Sequence, residues 1–129
     1  MRLASPRRPR LSPALAALLL GACGRSAPPA DLDAAFSLPD APALGRPAAV
    51  AVVLSEKGAP VTGARAKFVA DMPHPGMVPV VAAAVEAAPG RYEGTLGWTM
   101  AGDWSVLVEA TLPDGRAFSK RHPVRVAPK

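Results

Sequence analysis

Asp103-Trp104-Ser105-Val106-Leu107-Val108-Glu109-Ala110 is the clearest period-two stretch of the chain. Trp104, Val106, Val108 and Ala110 fall on one side of an extended backbone, and Asp103, Ser105, Leu107 and Glu109 on the other. Successive strand side chains point to opposite faces, so the alternation predicts a half-buried β-strand. Trp104 is its natural core anchor, because a large apolar surface compensates for small neighbours. Downstream, Pro113-Asp114-Gly115 is a hairpin signal. A last strand then runs from about Arg116 to Val126, with Val124 and Val126 inward and Arg121 and Arg125 outward.

Upstream the same period recurs. Arg91-Tyr92-Glu93-Gly94-Thr95-Leu96 puts Tyr92, Gly94 and Leu96 inside, behind the turn Ala88-Pro89-Gly90. Val78 to Ala88 is apolar, and its valines fit a strand or a short helix; strands on both sides favour a strand. Ala64 to Phe68 alternates small or apolar with charged residues. Val50, Val52 and Leu54 share a face, and Ser55 to Pro60 closes that strand with turn chemistry. Together with a candidate edge strand around Phe36 and Leu38, these make about seven short strands and no amphipathic helix. The fold expected is all-β, an immunoglobulin-like antiparallel β-sandwich. Its core rests on Val, Ala and Leu around two tryptophans, which is small for a domain and predicts modest stability.

The first 46 residues read differently. Arg2, Arg7, Arg8 and Arg10 precede an apolar run from Leu11 to Leu20, about half the ~20 residues of a membrane span. Residues 1–22 therefore read as a secretory signal peptide. Without them the chain keeps eleven basic against ten acidic residues, although the whole carries a formal +5. A near-neutral balance leaves no electrostatic footprint for nucleic acid. Residues 23–46 are rich in proline and alanine and predict a tether, an extended spacer at ~3.1 Å per residue. The sandwich is expected over residues 47–129.

Between two strand segments lies Met72-Pro73-His74-Pro75-Gly76-Met77. Thioethers and imidazole are soft or borderline donors and suit Cu(I) better than Mg²⁺ or Ca²⁺. On an extended backbone Met72 and His74 point one way, while Met77 points the other and lies ~17 Å from Met72. Convergence requires the loop to curl, which Gly76 permits. Met100, in a neighbouring turn, is a fourth candidate ligand. Methionine also fills core gaps, so a packed loop with a solvated His74 is the competing reading. Trp98 is read as packing and His122 as a solvent-facing residue of the last strand. Neither histidine has a Ser or carboxylate at a recognised catalytic spacing, so no enzyme is expected.

Two resemblances follow from these residues. Leu20-Gly21-Ala22-Cys23 resembles the lipobox of bacterial lipoproteins, which implies that Cys23 is lipidated and becomes the first mature residue. Two or more acyl chains then anchor the chain stably in a membrane of the cell envelope. Gly24 in place of an Asp favours the outer membrane if the cell is Gram-negative. The ordered set Gly58-Ala59-Pro60-Val61-Thr62-Gly63-Ala64, Met72-Pro73-His74, Gly90-Arg91-Tyr92-Glu93-Gly94 and Met100-Ala101-Gly102-Asp103-Trp104-Ser105-Val106 resembles the YtkA-like/FixH-like envelope domains over roughly residues 46–126. The resemblance implies an extracytoplasmic sandwich, and for some members a link to copper supply or cytochrome oxidase assembly. Met72 and Pro73 match the family's Met-Pro; its second methionine falls where this chain has Pro75, and Met77 offers a thioether from a new position. The implied function is copper binding or delivery to an envelope partner. The rival is a metal-free interaction module docking on a membrane, efflux or oxidase-assembly partner.

Overall fold

The computed structural model describes residues 29–128; the expected signal peptide and Cys23 lie outside them. Nine strands run in chain order: β1 Asp33–Ser37, β2 Pro47–Glu56, β3 Ala59–Pro60, β4 Arg65–Asp71, β5 Val80–Ala83, β6 Val85–Ala88, β7 Arg91–Gly97, β8 Gly102–Thr111 and β9 Ala117–Val126. They form two antiparallel sheets, β1-β2-β7-β6 with β3 on β2, and β5-β4-β8-β9. The described residues contain no helix. The sandwich is as the alternation predicts.

Its core is the set of inner faces. Val50, Val52, Leu54, Tyr92 and Leu96 of the first sheet meet Phe68, Trp104, Val106, Val108, Val124 and Val126 of the second, all buried. The register sets this up: Phe68 lies opposite Val108, and Trp104 opposite Val124. A one-residue slip would turn every one of these side chains to solvent.

Nine strands replace the expected seven for two reasons. The turn at 55–60 contains the two-residue β3, paired with Ser55 and Glu56. The stretch 78–88 is two strands, because the chain leaves the second sheet after Ala83 and joins the first at Val85. Residues 78–85 hold no charged or hydrogen-bonding side chain that would fix one face outward. Small alanines at 82–84 let the backbone approach β7, where the Ala83 carbonyl lies 3.1 Å from the Cβ position of Gly94.

The expected tether is corrected from Ala30 onward. The Ala30 amide donates to the Ala117 carbonyl at 2.8 Å, and β1 pairs with β2 from Asp33↔Ser55 to Ser37↔Ala51. Further on, Leu44 N–H donates to Ala127 C=O and Ala127 N–H to Pro42 C=O. The segment is thus a strap across the open side of the sandwich, and the domain begins by Ala30 rather than at Pro47. Prolines suggested a spacer, but they sit outside β1 and leave its amides free to pair.

His122 also departs from expectation. It shares the inward parity of Val124 and Val126, and its ring stacks on Phe36 of β1 at 4.8 Å and 17°. Its Nε2 is buried without a hydrogen-bond partner. Phe36 also meets Phe68 edge-on at 6.2 Å. Two edge strands from opposite sheets are closed by this aromatic contact.

The end of the sandwich where the described chain starts is held by polar contacts. The buried Tyr92 hydroxyl donates to the Val61 carbonyl at 2.8 Å and accepts from the Ala64 amide at 3.0 Å. Glu86 accepts from the amides of Gly63 and Gly90, which hold its carboxyl below the usual range. Gly90 has φ +78°, and a Cβ there would lie 2.9 Å from the Leu54 carbonyl, so no other residue fits. Arg116 grips Glu56 with both terminal nitrogens, at 2.7 and 3.0 Å, joining the last hairpin to β2.

Two predictions follow from these contacts. Tyr92→Phe strands the Val61 carbonyl and Ala64 amide, and costs about 1–3 kcal/mol; urea unfolding of residues 24–129 should show the lower midpoint with an unchanged slope. Burial, and secondarily nearby Lys120, push the His122 imidazole below its ordinary 6.5. The unfolded chain then binds more protons just beneath that pH, so stability is complete above about pH 6.5 and falls as the pH drops through it. Thermal midpoints should decline from about pH 7.5 to 5.5, and His122→Phe, which keeps the stack, should flatten that decline.

Candidate functional site

The Met/His loop joins β4 to β5 at the other end of the sandwich. Phe68 and Ala70 lead β4 into the core, and Asp71 Oδ1 accepts from the Met72 amide at 2.8 Å, closing the strand. The His74 amide then donates back to the Met72 carbonyl at 2.7 Å, and the Met77 amide to the His74 carbonyl at 3.3 Å. Pro75 and Gly76 are the two central residues of that second turn. Gly76 has φ +78°, the value that a type II turn requires after a proline. The loop therefore curls, as expected, and does so at Gly76.

The curl divides the four candidate ligands. His74, Met77 and Met100 line one open cavity of about 380 Å³, together with Pro75, Gly76, Val78 and Thr99. Met72 does not line it. Its methyl reaches to 3.0 Å from the Cβ position of Gly102, and the side chain packs against the hydrophobic core. The tight turn after Met72 breaks the extended geometry under which Met72 and His74 would share a side. Met77 is half-buried and also touches the core, whereas Met100 is 41% exposed.

The Met100 wall is anchored from below. Trp104 is 2% exposed and its indole N–H donates to the Met100 carbonyl at 2.9 Å, so the residue that anchors the core also fixes the turn bearing Met100. Trp98, on the same turn, is buried and packs edge-on against Trp104 at 5.3 Å; it is packing, as the sequence reading has it. His74 is exposed, with its Nδ1 3.3 Å from the carbonyl of the adjacent Pro75.

Two thioethers and one imidazole are a donor set for a soft monovalent ion, and three donors are enough to hold Cu(I). The cavity is far larger than one ion, so the side chains would have to swing inward onto it. Among the described residues no group of three or more His, Cys, Asp or Glu is placed to hold a metal. Sequence reasoning missed the role of Trp104 as the support of Met100; their spacing of four, across a turn, carries no periodic signal.

Val78 lines the cavity and is 79% exposed. Val81 of β5 and Val85 of β6, on the edge strands of the two different sheets, are exposed as well.

A family model described as YtkA-like matches residues 26–109, from just before the strap to Glu109 in β8. The match begins some twenty residues ahead of the resemblance seen in the sequence, in agreement with β1 being part of the domain. Comparison with curated proteins finds no match, and neither does comparison with solved structures. With well over half its length matched, and an all-β sandwich carrying the Met-Pro loop at one end, this chain belongs to the YtkA-like family.

Proposed function

We propose that the chain is an envelope lipoprotein, anchored through Cys23, that binds Cu(I) through His74, Met77 and Met100 and passes it to a partner protein. The observation that carries this reading is that three of the four soft residues line one open cavity. Neutral thioether and imidazole donors suit Cu(I) where an oxidising compartment would consume thiolates. An open, half-exposed site is what transfer needs, since the acceptor must reach the ion. Met72 is a packing residue on this reading. No reaction is catalysed.

The second reading, a metal-free interaction module, draws on Val78 and Met100, both exposed and apolar at the mouth of the cavity. Isolated exposed apolar residues are ordinary, but two at one cavity mouth favour a contact surface. On that reading the same end docks on an envelope partner without an ion.

A Cu(I) competition titration on residues 24–129 separates them. The copper reading expects one ion per chain, lost in the triple variant His74→Ala/Met77→Ala/Met100→Ala and weakened about tenfold or more, roughly 1.4 kcal/mol, by each single change. Met72→Ala should keep the affinity and lower the thermal midpoint instead. Binding no tighter than that of the triple variant ends the copper reading and leaves the docking one.

A further inference from the structure

We infer that the domain stands with the end at which the chain enters, at Ala30, toward the membrane and offers the His74/Met77/Met100 end away from it, to a partner site standing clear of the bilayer. The inference rests on the lipid anchor at Cys23 proposed above.

The chain enters the sandwich at Ala30, bonded to Ala117 at the start of β9. The Met/His end lies beyond the other terminus of β9, where Val126 pairs with Gly102 just after Met100 and the Met100 carbonyl receives Trp104. From Ala117 to Val126 is nine residue steps, about 30 Å at ~3.3 Å each. Between Cys23 and Ala30 there are seven steps, which span at most about 25 Å fully extended. Turning the domain over would put the entry point about 30 Å above the headgroups, beyond that reach. The Met/His end therefore cannot be pressed end-on into the anchoring bilayer.

A twenty-residue spacer would have allowed either orientation. Docking of residues 30–46 onto the sandwich removes most of that freedom. The rim residues Val78 and Met100 are exposed and apolar, a surface that could otherwise insert among lipids. Held off the bilayer, it suits an apolar protein surface instead. Copper, on this geometry, goes to an acceptor domain projecting into the envelope space and not to a site flush with the membrane that holds the chain.

Cys23 is the sole cysteine, so lipidation leaves introduced thiols unique. The test uses the full chain, matured in a bacterial envelope and reconstituted in phosphatidylethanolamine/phosphatidylglycerol vesicles carrying headgroup spin labels. A fluorophore is placed on Thr62→Cys, exposed at the end where the chain enters, or on Thr99→Cys, exposed at the Met/His end. The expected result is Cys23-dependent membrane association with the Thr62 position quenched several-fold more than the Thr99 position. Equal or greater quenching at Thr99, with association still dependent on Cys23, overturns the orientation and leaves the anchor standing. Association that survives Cys23→Ser, or that never occurs, overturns the anchor and the orientation together.

Discussion

The inner faces of two short-stranded sheets, pressed together, hold this molecule in shape. Each buried Val, Leu or Phe contributes roughly 1.5–3 kcal/mol, while ordering each residue of backbone costs roughly 1–2 kcal/mol. A core with Ala48, Ala70 and Ala110 among its members has little surplus. Its margins therefore matter. The Phe36–His122 stack closes one open side, the Tyr92 hydroxyl locks one end, and Trp104 fills the middle while reaching up to the Met100 turn.

The two ends of the sandwich are chemically unlike. At the end where the chain enters, the Glu86 carboxylate and the Tyr92 hydroxyl bond turn amides and a turn carbonyl, and Arg116 pairs with Glu56. At the other end the cavity is lined by thioether, imidazole and proline, with backbone bonds fixing the turns and the exposed Asp103–Arg125 pair beside it. Methionine side chains are flexible and polarizable, so they can close on an ion or yield to a partner surface at little cost. An adaptable end of this kind suits the carrier role proposed above. The Met100 turn is tied to the core, because its carbonyl accepts from the buried Trp104 indole.

The alternation of Trp104 to Ala110, Tyr92 to Leu96 and Val50 to Leu54 is legible in the sequence because strand parity is local, and each reading stands in the structure. His122 is the exception: the sequence reading has it facing solvent, whereas its parity with Val124 and Val126 turns it inward onto Phe36, a partner far away in the chain. The soft character of the Met/His loop and its curl at Gly76 were also local properties. Tertiary structure decided what depends on residues far apart: that the proline-rich segment straps the sandwich, that 78–88 divides between sheets, and that Met100 joins His74 and Met77 while Met72 turns to Gly102. Period and turn chemistry are carried by neighbouring residues. Docking of a strap, sheet switching and the meeting of two loops are set by packing across the core, where residues tens of positions apart compete for the same space.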